Sequence, residues 1–116
     1  MLNTVDFGRV RSSFEEVVAT LGVTARLLRT KLPQNSKSGV VGMRTASASS
    51  GDEWILNAYG INAVIFTLTV KDFYTAPERF DRIEVSNNIY TIDAVRPVIL
   101  NGVLVGWKLY CKGLSV

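Results

Sequence analysis

The residue types that carry chemistry are thinly represented in this chain of 116 residues. There is no histidine and a single cysteine, Cys111, so a Ser–His or Cys–His nucleophile pair is out of reach and a thiolate metal cage cannot be assembled. Carboxylate pairs are the remaining route to acid–base work. Glu15 and Glu16 are adjacent on a predicted helix, where neighbouring side chains diverge. Asp72, Asp81 and Asp93 are separated by turns, and structural roles account for each: strand-end solvation for Asp72, turn hydrogen bonding for Asp81 and a solvent-facing strand position for Asp93. Gly8-Arg9 and the other glycines form neither a dinucleotide fingerprint nor a phosphate loop. Cys111 falls on the apolar phase of a strand, which predicts a buried, inert thiol. No catalytic residue, cofactor or metal is expected, and the chain reads as a non-enzyme.

Binding residues are a richer vein. Tyr74, Phe80, Tyr90 and Tyr110, with Lys108 and Lys112, offer the aromatic and cationic groups with which a small barrel stacks single-stranded nucleic acid. Against that use, the net charge of +3 is unevenly spread: residues 1–50 hold seven bases and three acids, whereas residues 51–116 hold six bases and seven acids. Lys37 and Arg44 lie in the basic half, as do Arg9 and Arg11. They are the candidate contacts to a polyanion or to a neighbour with an acidic rim. An ordinary solvated surface is the competing explanation for all four.

The elements that position these groups follow from periodicity. A chain of this length makes one domain, residues 1–116. Its 47% hydrophobic composition rules out disorder over most of its length. No stretch reaches the roughly 18 apolar residues of a membrane span. The first twenty residues carry Asp6, Glu15 and Glu16 with no apolar core, so no secretory leader is expected. Phe7, Val10, Phe14, Val17 and Leu21 recur at helical spacing, predicting a helix over 1–22 that packs on the body or docks subunits through Arg9 and Arg11. Residues 23–30 read as a strand ended by Pro33. The span 33–53, rich in Ser, Gly, Ala and Thr, reads as a long flexible loop that orders when a partner arrives, interrupted at Val40, Val41 and Met43 by a short extended piece.

Within 54–116, Trp54-Ile55-Leu56 reads as a short strand or a helical turn, and the period beyond it is two. Val64, Phe66 and Leu68 alternate along one strand, and Val103, Val105, Trp107 and Leu109 along another. These two rows are expected to face each other in the core. Ser86-Asn87-Asn88 and Asn101-Gly102 are hairpin turns. The fold class is mainly β with α added: a small antiparallel β-barrel or sandwich with an N-terminal helix and a long central loop.

Four runs in the region 73–113 carry a resemblance. They are Pro77-Glu78-Arg79-Phe80-Asp81-Arg82-Ile83, Tyr90-Thr91-Ile92, Val95-Arg96-Pro97-Val98, and Asn101 to Trp107 followed by Gly113. Together they resemble the C-terminal half of tailed-bacteriophage head–tail connector proteins of the head-closure or stopper type. Phe80, Asp81, Tyr90, Pro97, Gly102, Gly106 and Gly113 are the positions that match. Similar hairpins occur in tail-completion proteins of the same phage neck. The resemblance implies a barrel protomer in a homo-oligomeric ring between portal or adaptor and tail proteins. It further implies loops that hold back packaged double-stranded DNA without reading its sequence, assembly in the host cytoplasm, residence in the virion neck and no membrane contact.

Overall fold

The computed structural model describes residues 14–20, 22–46, 53–59 and 63–112. A helix over 14–20 (α1) leads into β1 (Val23–Leu28), a 3-10 turn at Pro33–Asn35 and β2 (Lys37–Thr45). Then come α2 (Glu53–Tyr59), β3 (Val64–Thr69), the single turn α3 (Val70–Phe73), β4 (Arg82–Val85), β5 (Asn88–Leu100) and β6 (Val103–Cys111). Every pairing is antiparallel, and the sheet closes in the order β1-β2-β3-β6-β5-β4. The architecture is a closed six-stranded barrel, which resolves the choice between barrel and sandwich.

The alternating rows meet as their period requires. Val64, Phe66 and Leu68 pair with Cys111, Leu109 and Trp107 across the β3–β6 ladder, and all six belong to one buried cluster. Phe66 also meets Tyr90 edge-on at 5.2 Å between ring centres, a geometry worth about 0.5–1.5 kcal/mol beyond area burial. Val105 is buried, but Val103 is only half-buried. The expectation fails at Val103 alone, which lies beyond the buried Val105 and past the last β3 partner, Thr69 opposite Gly106. Both predicted hairpin turns form. At Asn101 and Gly102, φ is +51° and +80°, the two positive values that a primed two-residue turn needs.

Much of the predicted loop over 33–53 is a strand, and the short extended piece at Val40, Val41 and Met43 is its centre. Residues 37–45 form β2, paired with β1 from Leu27↔Lys37 to Val23↔Val41 and with β3 from Gly42↔Thr67 to Thr45↔Val64. The barrel body therefore starts at Val23 and not at residue 54. Small residues here reflect crowding. A Cβ on Gly39 would lie 2.9 Å from Asp72 Cβ and from the Phe73 ring, so a side chain would displace α3 from the barrel mouth. Residues 47–52, the most serine-rich part, lie outside the described residues.

An outer layer covers one side of the barrel. Ile55 of α2 joins Ala46, Ala63, Ile65 and Tyr110 in a second buried cluster, so the segment at Trp54 is helical and shields the outer face of β3 and β6. On α1, Val18 is buried while Val17 is 57% exposed. The buried stripe therefore runs through Phe14 and Val18, four residues apart on one helix face, rather than through Val17. Phe14 lies over Gly106. A Cβ there would come within 3.1 Å of its ring and 2.0 Å of the Leu68 carbonyl oxygen.

Two features share one end of the barrel. Strands β3 and β4 lie three places apart in a ring of six, so residues 70–81 must cross the barrel mouth. Phe73 drops from this crossing into the core cluster as a plug. Beside it, β5 and β6 continue past their last other partners: β4 pairs β5 only over Asn88–Thr91, and β3 pairs β6 only over Gly106–Cys111. Residues 98–105 continue as a two-stranded arm, buried at Val105, half-buried at Val98, Leu100 and Val103, and exposed at Ile99 and Leu104.

Candidate functional site

The crossing segment is built around Asp81. Its carboxylate is almost wholly buried. Oδ1 accepts from the Thr30 amide at 3.0 Å and Oδ2 from the Glu78 amide at 3.0 Å. Arg29 Nε lies 3.1 Å from Oδ2. Arg29 also donates through Nη2 to the Ala76 carbonyl, and its own amide donates to Ser36 Oγ. The Phe80 amide and carbonyl bond Ile92 and the Thr30 hydroxyl respectively. Asp81 is thus a turn residue, as its sequence suggested, and one that also ties the end of β1 to the mouth crossing. At the other end of the crossing, Asp72 Oδ2 accepts from the Val40 amide while its own amide donates to Thr69 Oγ1. Both aspartates are committed to backbone amides.

Cations and aromatics are left on the surface. Tyr74 and Phe80 are exposed and hold φ of +48° and +75°, conformations unusual for bulky side chains and a recurrent mark of functional segments. Each is covered by a cation: Lys37 Nζ is 3.4 Å from the Tyr74 ring centre, and the Arg79 guanidinium carbon is 4.7 Å from that of Phe80. Lys31, Lys71 and Arg82 are exposed at the same end. Over 29–39 and 70–82 the chain has six bases and three acids, an excess equal to that of the whole protein. A surface of this kind can hold phosphates without base-specific contacts.

The predicted residues are dispersed by this arrangement. Lys37 belongs to the cationic end. Arg44 lies seven positions along the same strand, roughly 23 Å away at about 3.3 Å per residue, so the two do not form one loop site. Arg44 instead pairs opposite Ile65 and lines an outer groove beneath α1. Arg9, Arg11 and Gly113 lie outside the described residues. Of the matching hairpin positions, Phe80 and Asp81 are in the mouth crossing, Tyr90 is in the core, Pro97 and Gly102 are in the arm, and Gly106 is at its root. Tyr90 and Tyr110 are buried and offer no stacking face. Trp54, which sequence reasoning passed over, lies edge-on to Tyr110 at 5.2 Å with the Arg96 guanidinium 4.3 Å from its ring.

Chemistry of the nucleophilic kind finds little footing. Cys111 is buried, and burial, with a smaller push from nearby Asp93, raises its thiol pKa to about 12. Asp93 is not the solvent-facing strand residue its sequence context suggested. It sits at a register shift between Ile92 and Ala94, with its Oδ2 buried and unbonded among the described residues. Among those residues, no group of three or more His, Cys, Asp or Glu side chains is placed to hold a metal ion, and no helix is long and apolar enough to cross a membrane. Comparison with protein-family models, with curated proteins and with solved structures finds no match to this chain.

Proposed function

We propose that this protein is a structural ring subunit of a tailed-phage neck, closing the DNA-filled head and joining it to the tail. The observation that carries the reading is the barrel end itself: a basic, aromatic mouth crossing beside an uncharged apolar arm. The first supplies phosphate contacts that need no sequence readout; the second supplies a protein contact. Together with the resemblance over 73–113, they suit a protomer that faces packaged double-stranded DNA while neighbours hold its flank. The cationic rim is assembled from both halves of the chain, so the DNA-facing surface comprises Lys31, Lys37 and Arg79 rather than Lys37 and Arg44 on a loop.

The test is charge reversal. Lys31→Glu and Arg79→Glu alter exposed side chains and Lys37→Glu gives up one contact with the exposed Tyr74 ring, so the melting temperature should stay within several degrees. Introduced at the native locus, the triple change should give filled heads that leak DNA or fail to join tails. Normal infectious particles would remove the assignment of this surface.

A second reading has one observation in its favour, the exposure of Tyr74 and Phe80. It makes the barrel mouth a stacking platform for single-stranded nucleic acid. A tenfold or greater preference for single- over double-stranded oligonucleotides, lost in Tyr74→Ala and Phe80→Ala, would favour it over the neck.

A further inference from the structure

The groove beneath α1 sets apolar walls beside two cations. It has a volume of about 300 Å³ and lies between α1 and the outer faces of β2, β3 and β6. Phe14, Val17, Met43 and Ile65 make its walls and floor, and Arg44 and Lys108 are its charged lining residues. Among the described residues no carboxylate lines it. Val17 and Met43 are both substantially exposed, so the groove offers apolar surface to whatever enters from water.

Strand register explains where the charge falls. Gly42, Thr67, Lys108 and Arg96 stand side by side across β2, β3, β6 and β5. Lys108 and Arg96 are thus directly opposed, and like charges in that position destabilise a sheet. The Arg96 guanidinium stacks on Trp54, 4.3 Å from its ring, and is 6.0 Å from the ring of Tyr110. That stacking draws it toward α2 and leaves the half-buried Lys108 to the groove. Among the described residues Lys108 has no ion-pair partner. An ammonium partly withdrawn from water without a counter-charge is a standing cost, and an anion in the groove would relieve it.

We propose that the groove binds one medium-chain carboxylate, with its alkyl tail against Phe14, Val17, Met43 and Ile65 and its head between Lys108 and Arg44. The volume sets the size of the tail. A dry apolar cavity of about 150 Å³ takes one benzene, so twice that volume takes a ligand of about twelve carbons. Pockets for small ligands begin at about 300 Å³, whereas a stable protein interface needs about 800 Å² from each partner, more than a cleft walled by a few side chains provides. Apolar walls cannot replace the hydration of a sugar–phosphate backbone. The two cations select an anion over a neutral or cationic amphiphile, and a cleft between helix and sheet selects a single chain over a bilayer surface. The site lies on the flank of the barrel, away from Lys31, Lys37 and Arg79 at its mouth, and does not depend on the neck reading.

Isothermal titration calorimetry of the full chain with dodecanoate, below its micelle concentration, tests the site. One molecule should bind per chain. From octanoate to dodecanoate the affinity should rise about fourfold per methylene, and tetradecanoate should gain less than fourfold for its two further methylenes because the groove is full. Dodecyltrimethylammonium, with the same tail and the opposite charge, should bind at least tenfold more weakly. Lys108→Glu should weaken dodecanoate at least tenfold. Val17→Asp, on the exposed side of α1, should do the same without touching the core, so the test survives if Lys108→Glu fails to fold. Equal affinity for the two amphiphiles, or an affinity for dodecanoate unchanged in either variant, would overturn the proposal. No saturable binding of dodecanoate would overturn it too, and binding to phosphatidylglycerol vesicles alone would replace it with a membrane contact.

Discussion

Replacing Asp81 with alanine should unlock the barrel mouth. The buried carboxylate holds the amides of Thr30 and Glu78 and faces Arg29, whose side chain is itself only 13% exposed. Asp81→Ala orphans two amides, each costing about 1–3 kcal/mol if it stays dry. It also leaves a guanidinium without its main counter-charge, and breaking a buried pair costs about 3–5 kcal/mol. These costs overlap, because a loosened crossing segment readmits water, so a net loss of about 3–5 kcal/mol is expected. That is a large part of the roughly 5–15 kcal/mol available to a domain, equivalent to roughly 15–30 °C in melting temperature. Urea unfolding followed by tryptophan fluorescence supplies the measurement. A double-mutant cycle with Arg29→Met isolates the ion pair, and a coupling of about 1–3 kcal/mol is expected. A loss under about 1 kcal/mol for Asp81→Ala, or additivity of the two changes, would refute the claim that this carboxylate anchors the crossing.

Other consequences follow from the same geometry. Trp107→Ala, which empties the core beneath Pro97, should cost about 3–5 kcal/mol; a melting temperature unchanged within error would reverse the face assigned to β6. Gly106→Ala sets a Cβ 2.0 Å from the Leu68 carbonyl oxygen, so soluble expression at wild-type yield and stability would contradict the register. Cys111 should resist a thiol reagent in the native protein and react fully on unfolding. Its folded pKa is raised from 9.0 to about 12, so between these values the folded state retains a proton that the unfolded chain has lost, and stability falls as pH rises. By pH 10 that loss is about 1.4 kcal/mol, and Cys111→Val should flatten the slope; an unchanged slope would implicate other groups.

What the sequence discloses, and what it withholds, has a physical pattern. β6 and the Asn101-Gly102 turn are legible because alternation and turn chemistry are local. β2 shows only its centre, the extended piece at Val40, Val41 and Met43, for the opposite reason. Its Gly39 is small because Phe73 and Asp72, more than thirty residues away, pack against it, and small residues without their packing partners look like a loop. At α2 the sequence leaves strand and helical turn open, since only the outer face of β3 and β6 explains why Ile55 is apolar. Charge separates by halves along the chain, yet the crossing from β3 to β4 carries Lys71, Arg79 and Arg82 to the end where Lys31 and Lys37 lie. Lys37 and Tyr74 are each identifiable from their type; their contact is not, because it depends on barrel closure.

The central claim is that the chain occupies the joint between head and tail. Tailed-phage particles produced with the chain expressed from its native locus, purified and imaged by cryo-electron microscopy, test it most directly. The account predicts a ring of barrels at the joint, with Lys31, Lys37 and Arg79 turned toward the DNA channel. Particles that lack the chain, or that carry it anywhere other than the neck, would contradict it.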